Sequence, residues 1–216
     1  MRFEAQVEKV LWTMTPEPLS PERIRLQTLH MLRIRKFMKL AGQEIPGAPE
    51  IPAEHIRILR ARLILEEAFE TVEALGVNVR IGTEPGHWSQ DQIPISKWLR
   101  SGCLLSYDTA TSVIPNLKDI VDGCADISVV TIGTLLACGV HDVAVLEEVD
   151  KNNLAKFGPG GYRDDGGKWV KPPDHAPPRI REILDLQTAA AVSERFPAGE
   201  TFEDEFGEIK EAAEDE

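Results

Sequence analysis

The residues best suited to chemistry are three glutamates in the stretch Leu63-Ile64-Leu65-Glu66-Glu67-Ala68-Phe69-Glu70-Thr71-Val72. In a helix that advances about 100° per residue, Glu66, Glu67 and Glu70 fall within one arc of roughly 100°, shared with Ile56, Leu59, Leu63 and Ala74. The other side carries Ile64, Leu65, Ala68, Phe69, Val72 and Leu75, so little of this half of the helix is expected to face bulk water. Three carboxylates in such surroundings repel one another and lose hydration at a cost on the order of several kcal/mol each unless something positive compensates. A divalent cation does so most economically. The plainer alternative is a solvated acidic edge paired with nearby arginines such as Arg62.

A second anomaly lies downstream. From Gly123 to Cys138, GCADISVVTIGTLLAC, the only charged residue is Asp126, which shares an arc with Asp122, Asp119, Val130 and Gly133. Asp122 and Asp126, four apart, project from one helix face. Metal ligation is favoured here over a core aspartate satisfied by backbone groups. Oxygen donors without imidazole or thiolate select hard Mg²⁺, with Mn²⁺ as a substitute. The five histidines are scattered with no HxxxH or HxH pair, which argues against zinc hydrolysis. Cys103, Cys124 and Cys138 have no CxxC spacing and read as reduced, buried thiols.

These groups need helices to hold them. Ser20-Pro21-Glu22-Arg23 reads as an N-cap followed by proline at the first helical position, opening a helix from about Pro21 to Leu40. A second helix is expected from about Ala53 to Leu75, stopped by Gly76. A third is expected from about Pro115-Asn116 to Cys138, and a fourth from His141 to Phe157, ending at the glycines of GPGGY. Residues 77–115 read as irregular, with a short amphipathic piece around Ile95 to Leu99 and one or two strands in LLSYDTATSVIP. YRDDGGKWVKPPDHAPP reads as a Gly/Pro-rich loop, followed by a helix from Arg179 to Arg195. The expected class is all-α, a helical bundle with a small irregular or β insertion between the second and third helices. Residues 1–20 form an N-terminal extension, 21–196 the domain, and 197–216 an acidic tail.

A chain of 216 residues, 42% hydrophobic, is long enough to bury a core. Its net charge of -12 argues against a duplex nucleic-acid binder, which needs a basic footprint. A phosphate-bearing substrate would need cations held by the acids. No run of about 18 uncharged apolar residues occurs, and MRFEAQVEKVLW lacks a basic region followed by an apolar one. The expectation is a cytoplasmic protein without a membrane partner.

Glu66-Glu67-Ala68-Phe69-Glu70 resembles the EExxE motif of the all-α nucleoside triphosphate (NTP) pyrophosphohydrolase superfamily, the MazG-like proteins. Asp122-Gly123-Cys124-Ala125-Asp126 resembles its downstream acidic motif, usually ExxD. The match is closer to a phage- and bacteria-encoded branch, phosphoribosyl-ATP pyrophosphohydrolase-like. There, LILEEAFETVEALG-like sequence is followed by DGxAD, an apolar helix with a Gly-Thr pair, an EEVxxxNxxK helix and a YRxDGK..KPP loop. Here these correspond to Gly133-Thr134, to Glu147 through Lys156, and to Tyr162-Arg163-Asp164-Asp165-Gly166-Gly167-Lys168, so that the resemblance spans about Met31 to Pro178. One departure stands out. Position 123 is glycine where the motif has glutamate, so the resemblance carries most directly to Glu67, Glu70 and Asp126 and less directly to Glu66 and Asp122.

The resemblance implies Mg-dependent hydrolysis of a nucleoside triphosphate at the α-β phosphoanhydride, giving the monophosphate and pyrophosphate. It implies metal ligation by Glu66, Glu67, Glu70, Asp122 and Asp126, with Glu66 or Glu67 as the base. Asn153 and Lys156, with Lys151 close by, become candidates for holding phosphate. Arg163, Lys168 and Lys171 could close over it, whereas Glu147, Glu148 and Lys151 also read as ordinary surface ion pairs. The phage branch points to a deoxypurine triphosphate such as dGTP and to control of nucleotide pools. A homo-oligomer, a dimer at minimum and a tetramer by expectation, should form, because the apolar backs of residues 64–75 and 120–136 need cover. Two rivals are weaker. A di-iron carboxylate bundle requires helical ExxH, and the sole instance, Glu84-Pro85-Gly86-His87, contains a helix-breaking Pro-Gly. A catalytically inactive, nucleotide-binding relative is kept open by Gly123.

Overall fold

The computed structural model describes residues 19–20, 22–81, 105–109, 114–165, 167 and 169–195. Within them the chain is mostly helical, with five α-helices, a 3₁₀ turn and four short strands. The architecture is all-α with a small strand insertion, as the sequence leads one to expect. It divides into two compact units, one of residues 52–134 and one formed by the segments on either side. The proposed extension through residue 18, the acidic tail and the amphipathic piece at Ile95 to Leu99 lie outside the described residues.

In the flanking unit, helix α1 is Leu29–Leu40, not a helix from Pro21. Ser20 does cap, accepting the Arg23 N–H at 3.1 Å, but only a 3₁₀ turn, Arg23–Arg25, follows before Leu26 turns extended. The true N-cap is Thr28, whose hydroxyl accepts the Met31 N–H at 3.1 Å. A tertiary contact decides this. The fully buried Asp142 accepts the Thr28 N–H at 3.0 Å and its hydroxyl at 2.5 Å, fixing the chain just before α1. Met31, Ile34 and Met38 then form the buried stripe of α1 at helical spacing.

Helix α4, Asp142–Ala155, and helix α5, Ile180–Arg195, complete this unit. Ile24, Ala144 and Ile183 make its core, with Leu19, Val145, Leu186 and Ala190 packed around them. Polar clamps surround that core. Arg23 donates both Nε and Nη2 to Glu147, Arg179 engages Glu148, and buried Gln187 exchanges two hydrogen bonds with the His141 backbone. After α4, strands β3, Tyr162–Arg163, and β4, Trp169–Val170, pair antiparallel, giving a minimal hairpin within the expected loop.

The 52–134 unit holds helix α2, Glu54–Ala74, and most of helix α3, Leu117–Ala137. Gly76, at φ 71, ends α2 in the left-handed conformation that glycine adopts without penalty. The chain then enters β1, Val77–Ile81, which pairs antiparallel with β2, Leu105–Thr109, from Val77↔Thr109 to Ile81↔Leu105. The second strand falls within LLSYDTATSVIP as expected, whereas the first corrects the reading of residues 77–81 as irregular. Asn116 starts α3, its side chain accepting the Lys118 N–H at 2.9 Å while its own N–H donates to the Ala74 carbonyl at 3.3 Å.

Among the described residues α3 is the one helix long and apolar enough to cross a membrane by length and composition. Asp126 stands at its middle, and a charged side chain near a bilayer centre costs on the order of 3 kcal/mol or more. The helix is also closely packed within its own unit at Gly123, as set out below. Cys124 and Cys138 form no disulfide, but Cys124 is exposed, which corrects the expectation of a buried thiol there; Cys103 lies outside the described residues.

Candidate active site

Helices α2 and α3 run antiparallel, which follows from three points of approach. Ala74 meets Asn116 through a backbone hydrogen bond, Thr71 faces Gly123, and Glu67 lies within the electrostatic reach of Asp126. As one helix is followed backwards the other advances. The closest approach is at Thr71 and Gly123, where a Cβ added to the glycine would lie 2.4 Å from the Thr71 hydroxyl oxygen. Thr71 is buried, and its hydroxyl donates to the Glu67 carbonyl at 2.7 Å.

One turn from this crossing, Glu67 of α2 lies within the electrostatic reach of Asp126 of α3. Desolvation and then the charges of Asp126, Glu70 and Glu66 raise the Glu67 carboxyl above its ordinary value. Four carboxylates therefore share one field. Among the described residues no cation forms an ion pair with Glu66, Glu67, Glu70, Asp122 or Asp126, and exposed Arg62 does not neutralise them. Asp122 precedes Gly123 and is level with Thr71 along the helix pair.

Glu66, Glu70, Asp122 and Asp126 are exposed, and only Glu67 is half-buried. The dehydration expected for all the acids thus applies to Glu67 alone, because the apolar residues beside them are open in the single chain: Leu65 is 54% exposed and Phe69 52%. The donor set suits a hard divalent ion, since every member is a carboxylate and Glu67 already feels the excess negative charge. As placed, no three carboxylate, imidazole or thiol side chains among the described residues stand close enough together to hold a metal ion. What the fold supplies is two helices that carry the donors at adjacent levels.

Lys151, Asn153 and Lys156 form a separate group at the end of α4, in the other unit. Lys156 Nζ donates to Asn153 Oδ1 at 2.7 Å, so the two polar tips already lie together. Lys151 acts on Glu148, whose burial alone would push its carboxyl up. The Arg179 backbone N–H and guanidinium outweigh that, with Lys151 helping, and hold Glu148 below its usual range. Glu147 and Glu148 are thus clamps between elements rather than loose surface pairs. Arg163, within β3, and Lys171, just after β4, are exposed, and Lys168 lies outside the described residues.

A model of the phosphoribosyl-ATP pyrophosphohydrolase family matches residues 34–153, more than half of the chain. The chain belongs to this family. Phosphoribosyl-ATP pyrophosphohydrolases are part of the MazG-like all-α NTP pyrophosphohydrolase superfamily, and membership makes this protein a nucleotide pyrophosphohydrolase. No curated protein sequence matches it. The matched span contains both carboxylate helices and reaches Asn153, stopping short of Lys156 and the hairpin.

Two members of this pyrophosphohydrolase's framework escaped the sequence reading. Thr71 is a buried polar residue in the last turn of α2, and nothing local in the sequence announces its contact with Gly123. Trp169 donates its indole N–H to the Lys156 carbonyl at 2.5 Å and packs on Phe157 with ring centroids 4.8 Å apart, tying the hairpin to the end of α4. A tryptophan inside a Gly/Pro-rich loop was the clue to that docking.

Proposed function

We propose that this family member hydrolyses a nucleoside triphosphate to the monophosphate and pyrophosphate, with Mg²⁺, or Mn²⁺ in its place, held by Glu66, Glu67, Glu70, Asp122 and Asp126. The observation that carries the reading is the raised Glu67 carboxyl, in the field of Asp126, Glu70 and Glu66 with no cation paired to any of them among the described residues. When bound, the ion supplies charge neutralisation at the phosphates and a lowered pKa for a water. Glu66 or Glu67 would serve as the base toward the attacking water. Lys156, Asn153 and Lys151 donate to phosphate oxygens, the lysines through charge-assisted hydrogen bonds. Residues 21–196 act as the pyrophosphohydrolase domain.

The substrate we favour is a deoxypurine triphosphate such as dGTP, with the chain assigned to the phage-type branch and to cytoplasmic control of nucleotide pools. A pyrophosphate-release screen over all ribo- and deoxyribonucleoside triphosphates and phosphoribosyl-ATP tests this. Preference for a deoxypurine triphosphate supports it, preference for another triphosphate overturns the base or sugar, and turnover of phosphoribosyl-ATP alone overturns the substrate class. Binding without turnover of any of them would instead support a nucleotide-sensing relative.

The working form is a homo-oligomer, a dimer at least and a tetramer by preference. Leu65, Phe69, Leu75, Leu117 and Val121 are all exposed in the single chain, on the two helices that carry the acids. Neither a membrane nor duplex nucleic acid is needed to cover them. Sedimentation at micromolar concentration should give a multiple of 24.0 kDa. A monodisperse, active monomer would refute the assembly.

A further inference from the structure

Position 123 departs from the acidic motif that the rest of α3 resembles, and the helix crossing supplies a reason. A Cβ there would stand 2.4 Å from Thr71 Oγ1, 3.1 Å from its Cβ and 3.2 Å from its Cα. Turning the Thr71 hydroxyl away would break its 2.7 Å bond to the Glu67 carbonyl and would leave the two carbon contacts in place. Any side chain at 123 must therefore move the helices. Restoring the 2.4 Å contact to the 3.4 Å of ordinary van der Waals distance takes about 1 Å.

That displacement matters because the acids sit next to the crossing. Glu67 is one turn along α2 from Thr71, and Asp126 is three residues along α3 from Gly123. Mg²⁺ holds its ligands at about 2.0–2.1 Å in near-octahedral geometry and tolerates little stretching. We propose that Gly123 and Thr71 are positioning residues, whose direct contact sets the separation of the two carboxylate helices so that Glu67 and Asp126 can serve one cation. Gly123 acts by having no side chain. On this account the missing glutamate is not a lost ligand, since the carboxylates of α3 are Asp122 and Asp126 and a longer residue at 123 would drive them away from α2. The proposal rests on the metal-binding reading above.

The test is Mn²⁺ binding to the full chain, followed by the electron paramagnetic resonance signal of free Mn²⁺ with no nucleotide present. Gly123→Ala should weaken binding by about tenfold or more, as changes behind metal ligands typically do. Thr71→Gly alone opens the contact from the other side, frees the Glu67 carbonyl, and should weaken binding as well. The double variant Gly123→Ala/Thr71→Gly removes both the 2.4 Å and the 3.1 Å contacts and should recover most of the lost affinity. Recovery between two single variants that each weaken binding while circular dichroism shows them folded is a readout a merely structural glycine would not produce. If Gly123→Ala does not fold, the double variant decides: folding with near-wild-type Mn²⁺ affinity supports the proposal, and folding without it overturns it. A folded Gly123→Ala that binds Mn²⁺ like the wild type sinks the spacing role alone. Absence of Mn²⁺ binding by the wild type sinks the metal reading, and the spacing role with it.

Discussion

Asp142 and Asp126 are both aspartates set in apolar sequence, and the molecule treats them in opposite ways. Asp142, at the start of α4, is fully buried and takes the Thr28 N–H and hydroxyl, joining α4 to the cap of α1. Asp126, in the middle of α3, is exposed, pairs with no cation among the described residues, and acts on Glu67 as a like charge. Each unit follows its aspartate. Around Asp142 the acids are satisfied, Glu147 by Arg23 and Glu148 by Arg179. Around Asp126 they face other acids. A carboxylate whose donors are built into the fold is structural; for one left among like charges, the function proposed above assigns a cation from outside.

The largest effect that could break this contrast is on turnover. Glu67→Gln, Glu70→Gln and Asp126→Asn should each lower kcat by orders of magnitude while the fold survives, and metal-free stability should hold or rise as mutual repulsion is relieved. Loss of folding with activity kept in the folded fraction would make these acids structural after all. Asp142→Ala should do the reverse. Stranding the Thr28 N–H and hydroxyl costs about 2–3 kcal/mol of stability, with turnover per folded molecule unchanged. Denaturant melts beside kinetics on folded protein check both halves.

A smaller effect concerns pH. The Glu148 carboxyl is held below its ordinary value in the fold, so its contribution is fully present above the unfolded value near 4.5 and is lost as pH falls through the lower folded one. His141 is also lowered, by burial and then by Arg35 and Arg25 against the opposing charge of Asp142, so its contribution is present above 6.5 and declines as pH falls. Both signs agree. Thermal stability should drop on acidification from neutrality, and Glu148→Gln should lessen the part of that drop below pH 5. An acid limb of the same steepness in the variant would show that Glu148 is not its source.

Much of the frame was legible in the sequence because the signals were local. The turn at Gly76 and the stop at GPGG are properties of single residues, and the carboxylate arcs of α2 and α3 follow from helical spacing. What was not legible depended on partners far along the chain. Ser20-Pro21 carries a good helix-start signal, yet Thr28 begins α1 because Asp142, 114 residues away, holds it there. The strand at Val77–Ile81 exists through pairing with Leu105–Thr109, and no periodicity in five residues announces that. The exposure of Glu66, Glu70 and Asp126 was misjudged for the same reason: composition shows which residues are apolar, not what covers them. Gly123 read as a deficit until its neighbour, Thr71, was seen.

The most direct test of the central claim is the product of hydrolysis, followed by ³¹P NMR with a nucleoside triphosphate selected by the screen, in Mg²⁺, for wild-type protein and Asp126→Asn. The account predicts nucleoside monophosphate and pyrophosphate from the wild type, abolished by excess chelator, and an intact triphosphate with the variant. Orthophosphate with the diphosphate as products, or undiminished pyrophosphate release by Asp126→Asn or in excess chelator, would contradict it.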